Sequence, residues 1–485
     1  MEVNEASVPK AFLSYPLSRR NDPSESEFGK SMTIIDELKQ ALGNDAVLTG
    51  GDIGDRYRSD ASQTGRHLPK AVLRPATVEA VAAALRICNA HGQSVVPQGG
   101  LTGLAGGANS RTGDFALSLE RLTGVEEIDE AAQTITVKAG TPLEVAQKAA
   151  EAAGFLLAID LGARGSCQVG GNLSTNAGGI RVIRHGVTRD NVLGLEAALA
   201  DGTVLTMLNK MVKNNTGYDL RQLFIGAEGT LGIITRAVLR LKPLPEGRAT
   251  AILALATYDD VVQLLKRAQR ELNGLSAFEA MWRSYFSVTA KAENIPLFAE
   301  EPDFAVIIET EGADQAAPLE AFLEGALTDG LIADALIAKS EKERRAFWIV
   351  REGLVMDSLP AIVNLDVSLA IGDLGRFAEA CDAALKARFP AAYVSFYGHI
   401  GDSNMHIAVS VAGATEADLH EIDETVYRIV AQYQGSISAE HGIGTLKRDY
   451  LGYSRRPEEL DVMLKIKAAL DPNGILNPGK VLPVR

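Results

Sequence analysis

Two histidines separated by a predicted turn are candidates for metal binding or catalysis in this chain. His399 and His406 lie in the segment "YGHIGDSNMHI", and the Gly-Asp-Ser-Asn run between them opposes a helix. Residues seven positions apart on one straight strand would face opposite sides of a sheet. A strand–turn–strand would instead bring the two imidazoles together, with Glu440 and His441 of "SAEHGIG" as further candidates to join them.

Two neutral imidazoles and one carboxylate form a ligand set that suits Zn²⁺ or Mn²⁺ and leaves a coordination position open for a substrate. The histidine segment alone is equally consistent with a hydrogen-bonded polar loop. Asp402 and Asn404, within the turn, could either orient the imidazoles through hydrogen bonds or only stabilise the turn. The residues themselves leave both interpretations open.

Two glycine-rich segments predict a site for a dinucleotide. "PQGGLTGLAGGANS" (97–110) and "GSCQVGGNLSTNAGG" (165–179) each hold five glycines. At this density, successive backbone N–H groups can approach an anion without interference from Cβ atoms, which is the chemistry of a pyrophosphate cradle. The alternative is a pair of flexible surface loops, against which Pro97 and the flanking strand patterns argue.

The usual nucleotide-binding fingerprints are missing. The only G-x-G in the chain is Gly442–Gly444, and Lys447 stands where a Rossmann motif has its third glycine. The "GKS" at 29–31 has Ser24 where a P-loop needs its first glycine. A dinucleotide would therefore need a fold other than the common NAD-binding and P-loop folds.

Composition sets the broad class of the protein. A chain of 485 residues predicts two or three domains, and 48 basic against 62 acidic residues argue against nucleic acid or an anionic membrane surface as a partner. Three scattered cysteines indicate a reducing compartment and hence a cytoplasmic location. No segment predicts a transmembrane helix, and residues 1–31 are expected to form a flexible N-terminal extension without a secretory signal.

The hydrophobic pattern predicts an α+β protein. Short apolar strands alternate with helices such as "VEAVAAALRICNAHG", which ends at Gly92, and a hairpin is predicted around Asp201-Gly202. After about residue 246, strands and helices alternate up to the long helix "EADLHEIDETVYRIVAQYQG". We therefore divide the chain into residues 32–245, 246–435 and 436–485.

Four motifs in order carry a specific resemblance: "PQGGLTGLAGGA", "GSCQVGGNLSTNAGGIRVIRHGVTRDNVLGLEAALADGTVL", "KNNTGYDLRQLFIGAEGTLGIIT" and "DPNGILNPGKVLP". They resemble the FAD-binding domain of the vanillyl-alcohol oxidase/p-cresol methylhydroxylase (PCMH) superfamily. From about residue 35 to 485 the chain is similar to the branch of D-lactate dehydrogenases, glycolate oxidase FAD subunits and D-2-hydroxyglutarate dehydrogenases. The resemblance implies a PCMH-type FAD-binding domain, an α+β substrate-binding cap domain and a C-terminal segment that returns to the flavin.

The resemblance also implies which residues hold FAD. The pyrophosphate would be cradled by Gly99, Gly100, Leu101, Thr102 and Gly103. A second FAD-binding segment would contribute Ser166, Gly170, Gly171, Thr175, Gly178 and Gly179. The adenosine end would be contacted by Glu228, Gly232 and Ile233, and the isoalloxazine ring would lie near Asn477. Some relatives attach FAD covalently through a histidine of the first loop. Because this loop has neither His nor Cys, we expect non-covalent FAD.

In the same branch, the residues that match His399, His406 and Glu440 bind a divalent metal facing the flavin, and the one that matches His441 is the proposed base. Arg351 of "FWIVREGL" matches the arginine that binds the substrate carboxylate, although its charged helix also fits a solvent-exposed face. The resemblance thus implies an enzyme that uses FAD and Zn²⁺ or Mn²⁺ to oxidise a D-2-hydroxy acid to the 2-oxo acid, by hydride transfer to flavin N5.

The sequence departs from the D-2-hydroxyglutarate dehydrogenases of this branch around the substrate. Their lysine, which helps to hold the distal carboxylate, is Asn364 here, and their proline is Ala370. Their asparagine and threonine are Ala408 and Val355. Because a dicarboxylate would lose polar partners at such a site, we expect a monocarboxylate such as D-lactate or a longer, less polar 2-hydroxy acid.

Other functions stay open from the sequence. The chain is compatible with an FAD subunit of a complex like glycolate oxidase, or with a D-2-hydroxyglutarate dehydrogenase whose carboxylate contacts have changed. A relative of alkylglycerone-phosphate synthase fits less well, because those proteins carry a run of histidines and this chain has no adjacent ones. A homodimer is allowed, and the electron acceptor stays open between an electron-transfer flavoprotein, a cytochrome and a quinone.

Overall fold

A small, mostly parallel sheet begins the fold. The computed structural model describes residues 32–483, so the extension expected at 1–31 lies outside the described residues. The four-stranded sheet has the spatial order Val47–Thr49, Ala71–Leu73, Phe115–Ser118 and Val95–Gln98, with the last three strands parallel. The helix Val78–Ala90 makes the crossover: the Thr77 hydroxyl accepts the Ala80 N–H at its start, and Gly92 follows its end with a φ of 60°.

An antiparallel five-stranded sheet follows, in the order Val125–Asp129, Thr134–Lys138, Ile233–Arg240, Val192–Ala198 and Val204–Met207. The predicted hairpin at Asp201-Gly202 is confirmed, because it joins the last two strands. The helices of this half pack with both sheets around one apolar core. They are Ile34–Leu42, Val78–Ala90, Leu143–Ala152, Val169–Thr175 and Arg221–Phe224, whereas Ile183 of the short helix Val182–His185 packs against the large apolar core of the second half.

The sequence suggested a loop for the second glycine-rich segment, but part of this segment is helical. Residues Val169–Thr175 form a short helix, and Gly170 and Gly171 lie inside it. A Cβ atom on Gly170 would lie 2.6 Å from Cβ of Ala139, so this glycine lets the helix pack closely on the five-stranded sheet. The many glycines of this segment therefore serve close packing of the backbone, in addition to forming a candidate phosphate cradle.

The second half of the chain is built on an antiparallel seven-stranded sheet. Its order is Asp334–Ile337, Arg248–Leu255, Phe304–Glu311, Leu275–Trp282, Tyr393–His399, Asn404–Ser410 and Ile362–Ser368. A large apolar core lies against one face and a smaller one against the other. The helices of this half are Tyr258–Glu271, Arg283–Ala292, Ala316–Thr328, Glu341–Glu352, Leu374–Arg388 and Glu416–Gln432.

The C-terminal segment crosses back to the first half after the helix Pro457–Leu470. The Val95 N–H donates to the Ile475 carbonyl and the Asn477 N–H donates to the Val95 carbonyl, both at 2.8 Å. Leu476, which is fully buried, belongs to the apolar core of the first half. Between residues 32 and 483, no helix combines the length and the apolar character that crossing a membrane requires.

Candidate active site

The segment "YGHIGDSNMHI" forms a hairpin of the seven-stranded sheet. The strands Tyr393–His399 and Asn404–Ser410 pair antiparallel, and Tyr397 lies opposite His406. His399 and His406 are on different strands, so the alternation of faces along one strand does not separate them. Their ring centroids lie 5.3 Å apart. The strand–turn–strand interpretation is therefore confirmed.

The Asn404 amide and one oxygen of Asp402, both in the turn, form no hydrogen bond to the histidines in the part of the chain that the structure describes. Both polar atoms of the Asn404 amide are buried without a hydrogen-bond partner in the described chain, as is one carboxylate oxygen of Asp402. Burial raises the pKa of Asp402 to about 7. The charge of His399 and the backbone N–H of Asn404 oppose this rise in the pKa, so Asp402 interacts with His399 through its charge.

Glu440 joins the two histidines from the C-terminal segment. Its Oε1 lies 3.5 Å from Nε2 of His399, and one ligand atom from each of His399, His406 and Glu440 lies within 4.8 Å of the others. Atoms that share one Zn²⁺ at about 2.0–2.2 Å are separated by less than about 4.4 Å. The donor set and its spacing therefore fit a divalent metal after small side-chain movements. Gly178 leaves space for the Glu440 side chain, because a Cβ atom at position 178 would lie 2.8 Å from the Glu440 carboxylate.

A buried glutamate, Glu279, lies behind the histidines. Its Oε1 is 2.7 Å from Nδ1 of His399, and its Oε2 accepts a hydrogen bond from Nε of Arg351 at 2.7 Å. Burial raises the pKa of Glu279, but the charges of His399 and Arg351 lower it more, so the carboxylate stays ionised. Burial lowers the pKa of His399, but the carboxylates of Glu279 and Glu440 outweigh it and raise this pKa to about 9.

Arg351 is not a solvent-exposed residue of its helix, because its side chain is almost fully buried and only 8% of the residue is exposed. Its guanidinium lies over the ring of Tyr397, 4.7 Å from the centroid. The same ring lies 5.0 Å from the imidazole of His406 and stacks on Tyr285. The structure thus brings Arg351 to the histidine cluster.

His441 is held by a second buried carboxylate, Asp366. Nδ1 of His441 lies 3.1 Å from Oδ1 of Asp366, which also pairs with Lys447. Oδ2 of Asp366 accepts the backbone N–H groups of Ala439, Glu440 and His441 at 2.8, 2.6 and 3.0 Å. Burial lowers the pKa of His441, which favours a neutral imidazole.

An open cleft lies beside Glu440 and His441, and both glycine-rich segments line it. Most of the predicted cofactor residues lie on its wall: Gly99, Gly100, Leu101, Thr102, Gly103, Gly170, Gly171, Thr175, Gly178, Glu228 and Ile233. Buried side-chain atoms of Gln168 and Asn172, on the same wall, have no hydrogen-bond partner in the described chain. A glycine cradle with unpaired polar atoms fits a large polar cofactor such as FAD.

Two family models match the chain: an FAD binding domain over residues 69–208, and the C-terminal domain of FAD linked oxidases over residues 244–481. The chain is 40% identical over 437 residues to D-2-hydroxyglutarate dehydrogenase of Xanthomonas citri pv. viticola, covering 88% of this chain and 92% of the relative. It is 39% identical over 445 residues to the mitochondrial D-2-hydroxyglutarate dehydrogenase of Bos taurus, covering 90% and 81%. The protein belongs to the FAD-linked oxidase family.

Solved structures agree with this family at the level of the fold. p-Cresol methylhydroxylase superposes with a TM-score of 0.74 at 17% identity, covering 93% of this chain and 96% of that one. Alkyldihydroxyacetonephosphate synthase superposes with a TM-score of 0.70 at 16% identity, covering 92% and 84%. The α+β fold with a PCMH-type FAD-binding domain is confirmed, and so is FAD as the cofactor of an FAD-linked oxidoreductase.

Four predicted cofactor residues of this flavoprotein do not line the cleft: Ser166, Gly179, Gly232 and Asn477. A side chain on Gly179 would collide with the Asp160 carbonyl, and one on Gly232 with the Phe224 ring, so these two glycines let segments of the FAD-binding domain approach closely. The Ser166 carbonyl lies where a side chain on Gly100 of the cleft wall would be. The contacts of these four residues with the cofactor remain predictions.

Glu228 and Asn477 connect the FAD-binding domain to the C-terminal segment that carries His441. The Glu228 carboxylate accepts the backbone N–H groups of Ile443 and Gly444 at 2.7 and 2.9 Å. The Asn477 amide donates to the carbonyls of Gly107 and Glu228 at 3.0 and 2.8 Å. Glu228 therefore holds protein backbone with the carboxylate that was predicted to contact the adenosine end.

Sequence reasoning missed Glu279, Asp366, Lys447 and Tyr397 as site residues. Two of them had a signal, because "SAFEAMW" and "VNLDVSLA" each place one carboxylate in an otherwise apolar strand. A buried carboxylate needs a partner, so an isolated acidic residue in such a strand indicates a charge or metal site.

Proposed function

We propose that the protein is an FAD- and divalent-metal-dependent dehydrogenase that oxidises a D-2-hydroxy acid to the 2-oxo acid. The observation that carries the proposal is the continuity of the site, because Glu440 and His441 line the same cleft as the glycine cradle. Groups suited to bind and deprotonate a 2-hydroxy acid therefore adjoin groups suited to FAD. The names of the curated relatives, which are D-2-hydroxyglutarate dehydrogenases, support the same reaction class.

The chain's own residues would bind the substrate and move its proton. FAD supplies the acceptor for the hydride from C2, and a divalent ion held by His399, His406 and Glu440 would lower the pKa of the substrate hydroxyl. Arg351 would bind the substrate carboxylate with its terminal nitrogens, since Nε donates to Glu279. His441 would accept the hydroxyl proton at Nε2, because its Nδ1 faces Asp366.

The surroundings of Ala408 favour a monocarboxylate such as D-lactate or a longer apolar 2-hydroxy acid. Ala408 is fully buried in an apolar cluster that includes Met281 and Tyr285, and Val355 packs against the same cluster. Asn364, directly opposite Ala408 on the neighbouring strand, is exposed. A second substrate carboxylate near this cluster would lack partners for its charge.

Anaerobic mixing of the FAD-loaded protein with D-lactate, D-2-hydroxybutyrate, D-2-hydroxyglutarate and L-lactate tests the proposal. Flavin bleaching is followed by absorbance, with and without pretreatment by a chelator. We expect bleaching by the D-acids, its loss after chelation, and a higher kcat/KM for the monocarboxylates. Absence of bleaching with every acid would overturn the reaction, and bleaching that survives metal removal would overturn the metal requirement. A preference for D-2-hydroxyglutarate would overturn only the substrate class.

A further inference from the structure

One buried carboxylate contacts both a candidate metal ligand and the candidate substrate arginine. Glu279 is fully buried in the strand Leu275–Trp282, with its two oxygens 2.7 Å from His399 Nδ1 and 2.7 Å from Arg351 Nε. Glu279 and His399 are direct partners in the register of neighbouring strands. Their separation is therefore set by the sheet, which fixes a site more firmly than a loop does.

We propose that Glu279 is a positioning residue that joins the metal site and the carboxylate-binding site into one unit, so that both depend on it. The inference rests on the proposed function and deepens it. It assigns to the two sites a shared support that neither the sequence motifs nor the resemblance indicated.

The first half of the argument concerns the metal ligand. An imidazole that donates Nδ1–H to a carboxylate has its tautomer and ring plane fixed, and its Nε2 lone pair stays available for a metal. Nε2 of His399 is the atom that faces Glu440, at 3.5 Å. Glu279 thus aims His399 at the other two candidate ligands.

The second half concerns the arginine. Arg351 is buried, and a buried guanidinium needs a compensating charge. Glu279 supplies this charge at Nε, while the ring of Tyr397 supports one face of the guanidinium at 4.7 Å. These two contacts leave the terminal nitrogens of Arg351 available to a substrate carboxylate.

A glutamine at this position could not replace the carboxylate. Its amide has one acceptor oxygen, whereas the Nδ1–H of His399 and the Nε–H of Arg351 are both donors that need an acceptor. The other amide end is itself a donor and would oppose whichever partner it faces. E279Q should therefore weaken the metal site and the carboxylate site together.

The chain offers a matched control in Glu309. This carboxylate lies on the same face of the same sheet and is fully buried, but it holds Arg181 at 2.6 Å and Thr250 at 2.9 Å instead of site residues. E309Q removes an equally buried charge without contacting His399 or Arg351. Because Glu309 also pairs with Arg181, E309Q is compared by its Zn²⁺ affinity, which should stay at the wild-type value even if the unfolding midpoint falls.

The experiment compares the FAD-loaded wild type with E279Q, E279D and E309Q. Zn²⁺ affinity is measured by competition with a chromophoric chelator, and KM is measured for D-lactate and D-2-hydroxyglutarate, with FAD content and the thermal unfolding midpoint as folding controls. E279Q should bind Zn²⁺ about 10–100-fold more weakly, as is typical when a partner of a metal-ligating histidine is removed, and should raise KM. E279D, whose shorter carboxylate reaches one partner, should recover only one of the two properties.

Unchanged Zn²⁺ affinity in folded E279Q would overturn the inference, and so would an equal loss in E309Q. If E279Q does not retain FAD, E279D decides, because wild-type values of both Zn²⁺ affinity and KM in that variant would also overturn it. A wild type that neither binds Zn²⁺ nor is reduced by a D-2-hydroxy acid would instead refute the proposed function.

Discussion

At the scale of single residues, Asp366 supports the part of the site that carries the proposed base. One of its oxygens accepts the backbone N–H groups of residues 439–441, and the other faces His441 and Lys447. Burial raises the pKa of Asp366, but the charge of Lys447 and the backbone N–H of Glu440 act against it, and this pKa lies below its usual range. The ionised carboxylate thus fixes the loop and keeps the Nδ1 side of His441 occupied.

Asp366→Asn should slow flavin reduction while altering KM less. The amide oxygen can still accept backbone N–H groups, but it lacks the charge that orients His441. Because general base catalysis typically contributes about 10²–10⁴-fold, we expect the rate at saturating substrate to fall by about 10²-fold. Anaerobic stopped-flow absorbance measures this rate.

Asp423→Asn is the control for that variant. Asp423 is partly buried near Lys447, and burial raises its pKa to about 6 although the charge of Lys447 opposes this, but it does not bond the loop 439–441. The rate of this variant should stay near that of the wild type. A wild-type rate in Asp366→Asn, or an equal fall in Asp423→Asn, would contradict the role assigned to Asp366.

Residue types suggested that His399, His406 and Glu440 could come together, and the family resemblance turned this suggestion into the prediction of a cluster. The supporting carboxylates could not be placed in the same way. Glu279 and its partner His399 are separated by 120 positions, and Asp366 and His441 by 75. The alternation of a strand tells which face a residue lies on, but strand order, which the sequence does not encode locally, decides which residue lies beside it.

At the scale of elements, the hairpin decides whether the two histidines converge. Gly398 precedes His399, and a Cβ atom there would collide with the Asn404 carbonyl and approach the Met405 Cα to 2.9 Å. Gly398 has no need of an unusual φ, so its role is close contact between the two strands. In the short pattern "YGH", the glycine is therefore required for strand packing and stands next to the candidate metal ligand His399.

Gly398→Ala should push the strands of the hairpin apart and weaken metal binding. Overpacking of this kind typically costs about 1–3 kcal/mol of stability, and it would act directly between the strands that carry His399 and His406. We expect Zn²⁺ affinity, measured by chelator competition, to fall more than tenfold.

Gly372→Ala provides the matched comparison, since a Cβ atom there meets nothing within 4 Å. This variant should keep the Zn²⁺ affinity and unfolding midpoint of the wild type. Equal affinities in the two variants would show that close approach at Gly398 is irrelevant to the metal site.

At the scale of the whole molecule, the reaction requires the seven-stranded sheet to be held against the FAD cleft. Arg181 makes this connection: its Nε pairs with Asp160 at 3.0 Å, and its Nη1 pairs with Glu309 at 2.6 Å. Asp160 directly precedes Leu161, which lines the cleft, whereas Glu309 belongs to the seven-stranded sheet. The return of the C-terminal segment to the FAD-binding domain was predictable from the resemblance of its motif. The pair of Arg181 and Glu309 was not, because these residues are 128 positions apart and no local pattern relates them.

Arg181→Met should lower the thermal unfolding midpoint and slow flavin reduction together. Removing one partner of a buried pair typically costs about 3–5 kcal/mol, since it leaves the other charge uncompensated. The substitution removes ion pairs that join the sheet carrying the histidines to the cleft. Hydride transfer should therefore slow even in protein that retains FAD. Flavin fluorescence during heating and anaerobic stopped-flow absorbance measure the two effects.

Arg267→Met isolates this effect, because Arg267 pairs with Glu271 and Asp329 at the surface, within the half of the chain that holds the seven-stranded sheet. Exposed pairs are typically worth about 0–1 kcal/mol, so this variant should unfold and react like the wild type. If Arg181→Met kept the wild-type reduction rate despite a lower midpoint, Arg181 would serve stability alone. The relative placement of sheet and cleft would then have to depend on the contacts that Glu228 and Asn477 make between the FAD-binding domain and the C-terminal segment.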